Sequence, residues 1–172
     1  MIEIRIDDHE VRNLLGTLQG RLRTLSPAMK QIAGIMHDAV EENFEQEGRP
    51  KWDPLKKSTQ EQRKKEGKWP GKILQKSAGG LAASISRSFN SYQAVVGSNK
   101  KYAAIHQFGG KTGPHIIRPK RKQALFWPGA KHPARSVNHP GSDIPARPFL
   151  KLTDGDMSEI KSALMDYILR GK

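Results

Sequence analysis

Two apolar stripes near the N-terminus constrain this chain more than anything else in it. Val11, Leu14, Leu15, Leu18, Leu22 and Leu25 recur at helical spacing, so they fall on one face of a helix. Asp7 or Asp8 stands where its cap belongs. Ser26 and Pro27 then restart the chain with a cap and a first-turn proline. Met29, Ile32, Ile35, Met36, Val40 and Phe44 make a second stripe, which Gly48 and Pro50 end. The expectation is two amphipathic helices whose apolar faces both pack into the core. Ahead of them IEIRI, residues 2–6, alternates apolar and charged like a short half-buried strand.

Further elements are shorter. SISRSF and QAVVGS flank Asn90-Ser91-Tyr92 and read as a hairpin. Ile116-Ile117 and Ala124-Leu125-Phe126-Trp127 flank a basic turn and suggest a second hairpin. Residues 73–83 read as short-helical or irregular, and PARPF, residues 145–149, as extended. Asp154 or Asp156 would cap a last helix carrying Met157, Ile160, Leu164, Tyr167 and Ile168 on one face, with Gly171 as its stop. The fold class expected is α+β: N-terminal helices and a C-terminal helix on a small, mostly antiparallel sheet, with long basic loops. One domain over residues 1–172 is expected, with basic excursions at about 49–72 and 110–143. In the first of these, Ser58 and Glu61 fit a capping box for a short helix to about Lys65, and Trp52 and Trp69 would pin the segment to the body.

Charge is unevenly placed. The chain carries 30 Lys and Arg against 17 Asp and Glu. Residues 1–48 hold 5 basic and 9 acidic groups, residues 49–76 hold 10 and 3, and residues 109–142 hold 7 and 0. Basic blocks of this kind suit nucleic acid or an acidic protein surface. The acidic N-terminal part equally suits the basic part of a neighbouring copy. Cysteine is absent, which excludes disulfides and thiolate metal sites. No apolar run reaches the roughly 18–20 residues of a membrane helix, and MIEIRIDDHE lacks the basic start and apolar stretch of a signal peptide.

The segment KYAAIHQFGG, residues 101–110, holds the strongest candidate for chemistry, His106. On a helix, Tyr102, Ile105 and Phe108 share a face with His106 at its edge, and Gly109 is placed to end the helix in a left-handed conformation. A catalytic histidine needs a nucleophile or substrate held within reach. No G-x-S-x-G elbow and no phosphate-binding loop is present. A metal site drawn from His115, His132, His139 and Asp143 matches no compact ligand spacing and would sit in a cationic loop. The favoured reading of His106 is therefore structural, and no cofactor is expected. Arg118, Lys120, Arg121 and Lys122, with Phe126 and Trp127 nearby, are candidate contacts to a partner protein or to DNA. No recognition module surrounds them, so sequence-specific reading is not expected.

The order of these pieces is similar to that of the Mu-like phage virion morphogenesis family, the tail-completion or neck proteins of tailed phages and prophages. The resemblance is densest in residues 73–110 and 144–170, around YAAIHQFG and PARPF. One departure is Ser77-Ala78-Gly79-Gly80-Leu81, which has a residue more than the family's S/T-G-x-L pattern. The resemblance implies a non-enzymatic α+β subunit that completes the tail or joins it to the head, as a ring. Its partners would be further copies of itself and neighbouring neck or tail proteins, with no membrane; the basic block adds nonspecific contact with packaged DNA as a further candidate. It would work in the bacterial cytoplasm during assembly and then in the virion. Tyr102, Ile105 and Phe108 would pack the short helix against the hairpin, and Arg147, Pro148 and Phe149 would anchor the strand before the last helix. Two rivals remain at this point: a nonspecific nucleic-acid-binding accessory protein, and a metal-dependent nuclease or peptidase centred on His106.

Overall fold

The computed structural model describes residues 8–120, 123–126 and 130–171. The expected strand at residues 2–6 lies outside them, as do Arg121, Lys122 and Trp127. The fold is α+β, as the patterns imply. Five helices, α1 (His9–Arg23), α2 (Ser26–Glu45), α3 (Lys57–Lys65), α4 (Ala103–Phe108) and α5 (Asp154–Arg170), accompany six short strands. The strands form three separate antiparallel pairs rather than one sheet. β1 (Ile85–Phe89) pairs with β2 (Ala94–Ser98), β3 (Gly110–Lys111) with β6 (Asp143–Ile144), and β4 (His115–Ile117) with β5 (Val137–His139). Among the described residues no helix is long and apolar enough to cross a membrane.

Helix α2 is the centre. Its buried side chains are Ala28, Ile32, Ala33, Ala39, Val40, Asn43 and Phe44. Alanines on this face let α5 lie along one flank while the β1–β2 hairpin crosses another. The hairpin forms where Asn90 predicts it: the Asn90 side chain accepts from the Tyr92 N–H at 2.8 Å and so shapes the turn. The main apolar cluster gathers around Val40, Phe44, Trp52, Ile73, Leu81 and Phe149. Phe44 sits edge-on to Trp52 at 5.8 Å and tilted to Phe149 at 5.5 Å. The basic segment of residues 49–76 thus supplies two of the six core side chains.

Several local expectations change. The stripe of α1 is not core: none of its residues is buried, and Val11, Leu14, Leu15 and Leu22 are all more than half exposed. The helix lies at the margin, packed along α5, where Arg21 donates to the Ile168 carbonyl at 2.8 Å. Asp8 occupies the cap position, but its carboxylate binds Arg12 at 2.7 Å instead of the helix backbone. Helix α3 starts at Lys57, with no side-chain cap, so the Ser58–Glu61 box does not form. Ile116 and Ile117 pair with Asn138 and Val137 rather than with residues 124–127, and Leu125 instead bridges Ala134. Helix α5 is capped by Thr153, not by an aspartate; Asp156 completes the reciprocal box by accepting the Thr153 N–H at 2.7 Å.

A polar network at the C-terminal end of α2 holds these parts in register. Asn43 is fully buried. Its amide donates to the carbonyls of Phe149 at 2.9 Å and Lys151 at 2.8 Å, and its oxygen accepts from Arg49 Nε at 2.9 Å. The Arg49 guanidinium also donates to Glu42, to Asp156 at 3.0 Å and to the Ala39 carbonyl at 2.9 Å. Burial acts to raise the Asp156 pKa, but hydrogen bonds from Thr153 and Arg49 prevail and hold it below its ordinary value. Replacing Asn43 by leucine keeps the branched shape, adds some bulk, and orphans two carbonyls and one guanidinium N–H. The expected loss is about 3 kcal/mol or more. Leu14→Ala, on the exposed face of α1, should cost under about 1 kcal/mol. Urea unfolding of both variants checks the contrast, and equal losses would contradict the account.

Candidate functional site

Helix α4 is six residues long and docks mainly through backbone and polar groups. Ala103 packs on the core cluster. The His106 carbonyl accepts from the Arg147 N–H at 2.7 Å, and the Gln107 side chain accepts from the Leu150 N–H at 3.0 Å. Gly109 then leaves the helix not in the expected left-handed helical cap, which Gly171 adopts at the end of α5, but at φ 71° and ψ −179°, an extended positive-φ conformation. That region is open in practice to glycine alone. A Cβ there would stand 2.8 Å from the Ala146 nitrogen, so the chain closes directly on the 144–149 segment. The expected shared apolar face is not buried: Phe108 is 79% exposed and Tyr102 44% exposed, while Ile105 is half-buried. One and a half turns cannot cover three large side chains when the helix is already fixed by its carbonyls and Gln107.

Arg147 and Phe149 lie inside. Phe149 is 1% exposed and Arg147 5% exposed, with Pro148 half-buried between them. The Arg147 guanidinium donates to the carbonyls of Asp53, at 3.1 Å, and Pro54. Together α3, α4 and residues 142–147 enclose an open cleft of about 600 Å³ with His106 and Arg147 in its lining. A third lining residue, Arg63, is 7% exposed and donates to the Lys72 carbonyl at 3.0 Å. Its place in the run RKK suggests a solvated lysine-like residue, so the sequence hides it.

His106 meets Tyr102 edge to face at 5.9 Å. Its Nδ1 is buried with no hydrogen-bond partner among the described residues. Burial, and then the neighbouring Arg147 charge, push its pKa below the ordinary 6.5. No serine, threonine or carboxylate is bonded to it among the described residues, so no base–nucleophile pair is assembled. The weighed histidine set does not converge either. His115 and His139 are cross-strand partners with rings stacked at 5.1 Å. The one described group whose ligand atoms lie within mutual reach is His37, Asp38 and Glu41, on the surface of α2. Arg118 and Lys120 are exposed beyond β4.

The histidine gives a signed pH dependence. With its folded pKa lowered, the unfolded chain takes up the proton first as pH falls through 6.5. Stability should therefore drop from pH 7.5 to 5.5. His106→Gln should show a shallower drop; parallel urea midpoints for the two proteins would refute a neutral buried imidazole. At the helix end, Gly109→Ala should cost about 2 kcal/mol or more, whereas Gly113→Ala, where an added Cβ meets nothing within 4 Å, should be near neutral. Thermal unfolding of the pair decides this.

Comparison with known proteins adds the family. The phage virion morphogenesis family profile matches residues 6–169. Mu-like prophage FluMu G protein 2 of Haemophilus influenzae is 38% identical over 168 residues, covering 97% of this chain and 96% of that protein. FluMu G protein 1 of the same organism is 28% identical over 158 residues, 86% of each chain. The putative capsid assembly protein G of Escherichia phage Mu is 31% identical over 137 residues, 77% of this chain and 72% of that one. No solved structure matches. A profile match over residues 6–169, together with a near full-length relative at 38% identity, shows that the chain belongs to the phage virion morphogenesis family.

Proposed function

We propose that this protein is a non-enzymatic assembly subunit that acts in tail completion or head–tail joining, as one member of a homo-oligomeric ring. Family membership supplies the assembly role. The observation that carries the self-associating part is α1. Its 15 residues bury no side chain, and Val11, Leu14, Leu15 and Leu22 stand 51–59% exposed. A helix of that length is marginal in water without packing, and a clustered apolar face on a helix is the usual mark of an interface. Charge supports a head-to-tail arrangement. Asp38 and Glu41 are exposed on α2, and Arg118 and Lys120 are exposed beyond β4. In a ring each subunit meets its neighbour through two different surfaces, which opposite charges can match.

A second reading has its own support: Phe126, 71% exposed, lies close in sequence to the exposed Arg118 and Lys120. Cations and an aromatic of this kind suit nonspecific contact with packaged DNA. Binding of duplex DNA that falls steeply with salt would support it.

Two experiments test the first reading. Electron microscopy of a lysate from the phage lacking this gene should show filled heads beside unjoined or malformed tails. Normal infectious particles would overturn the assembly role. Changing Lys120, Arg121 and Lys122 together to glutamate should lower the native mass of the assembled protein, and an unchanged mass would remove the charge-matched ring.

A further inference from the structure

The cleft between α3, α4 and residues 142–147 has an unusual floor. Arg63 and Arg147 both line it, 93% and 95% out of solvent by their exposures of 7% and 5%. Among the described residues neither forms an ion pair; their bonded partners are the carbonyls of Lys72, Asp53 and Pro54. Burial disfavours the charge on Arg147, the nearby Asp53 carboxylate favours it, and Arg63 opposes it. Arg63 Nε and His106 Nδ1 are both buried with no hydrogen-bond partner among the described residues. Buried arginines without a direct ion-pair partner are uncommon, and buried donors without an acceptor are rarer. Both line one open cleft.

The rim continues the pattern. Lys56 and Lys76 add positive charge, although Lys76 already holds Glu66 at 2.9 Å. Asp143 is the single carboxylate in the lining. Leu55, Leu74 and Ile144 give the walls an apolar character. Such a site asks for an oxyanion carried on something narrow and partly apolar. A DNA duplex does not qualify. Its phosphates lie on a wide convex surface and would meet the exposed lysines, without reaching guanidinium groups this deeply set.

We propose that this cleft is a docking site for a short acidic peptide segment of another virion protein, whose glutamate or aspartate carboxylate seats against Arg63, Arg147 and His106 while its apolar neighbours lie on Leu55, Leu74 and Ile144. The carboxylate supplies the acceptor that Arg63 Nε lacks and the direct ion-pair partner that neither arginine has among the described residues. The planar guanidinium suits such a partner better than an ammonium would. That the peptide comes from a virion protein rests on the assembly reading above. That the cleft takes an acidic peptide does not, and it is tested on the isolated chain.

The test uses the full-length protein labelled with ¹⁵N. The Arg63 Nε–H signal and the His106 ring are followed by nuclear magnetic resonance. The probes are the blocked peptide acetyl-Leu-Glu-Leu-amide, its glutamine counterpart, and inorganic phosphate. The expected result is a saturable shift of both groups with the glutamate peptide, and binding weaker by about tenfold or more with glutamine. Equal binding of the two peptides would overturn the proposal, as would shifts confined to surface lysines. Tighter saturation by phosphate would overturn it too, by reassigning the cleft to a phosphate ion. Failure here leaves the microscopy result standing, and failure of the microscopy leaves this titration standing.

Discussion

Arg49 enters the interior as a permanent cation, and the surrounding chain is arranged around that fact. A guanidinium has five N–H donors and loses strong hydration when buried. Glu42, Asp156, the Ala39 carbonyl and the Asn43 side chain take those donors up. A buried pair of this type adds little net stability compared with apolar packing. What it adds is register. Asn43 can satisfy Arg49 and two carbonyls together only if residues 149–151 cross α2 at one height. The same Asp156 that receives Arg49 closes the capping box with Thr153. The first turn of α5, the exit from α2 and the 145–149 segment are thereby set relative to one another. The position of Arg147 in the cleft follows from that placement.

The parts legible from sequence are those decided by local chemistry. Helices α2 and α5, the β1–β2 hairpin and the glycine exit from α4 follow from periodicity, an Asn-initiated turn and a φ that only glycine tolerates. The errors come where the deciding partner is distant. Periodicity gives α1 an apolar face but says nothing about what covers it. Residues 116–117 and 124–127 both read as strand-like, but Ile116 and Ile117 pair 22 and 20 residues further on, and Leu125 bridges a residue 9 further on. Aspartates at 154 and 156 look like caps in the sequence, but the helix starts one residue after Thr153, so the hydroxyl caps it and Asp156 falls at the third helical position, where it completes the box. One missed element left a signal. Asn43 falls beside Val40 and Phe44 on the buried stripe of α2, and a polar residue there must find hydrogen bonds inside.

The candidate site was half legible for the same reason. KYAAIHQFGG is conspicuous, but its work in the fold is done by the His106 carbonyl, the Gln107 side chain and the Gly109 backbone, not by the aromatic side chains that make it stand out. Arg147 is conspicuous beside Phe149. Arg63 is not, because it stands among lysines and glutamines in a helix whose mean character is strongly polar. Only the fold of α3 onto the core turns it inward.

That inward turn separates two uses of positive charge in one basic chain. Arg118 and Lys120 lie in water, where screening over about 8–10 Å weakens them at physiological salt. They can attract many anions and choose poorly among them. Arg63 and Arg147 are shielded from salt by burial, so any anion that reaches them must shed water and fit the cleft. In the proposed docking, selectivity would belong to the buried pair and long-range attraction to the exposed one. A ligand that binds only the folded state also stabilises it by mass action. If the proposed partners dock on the exposed face of α1 and in the arginine-lined cleft, association would stabilise the fold by the same mass action.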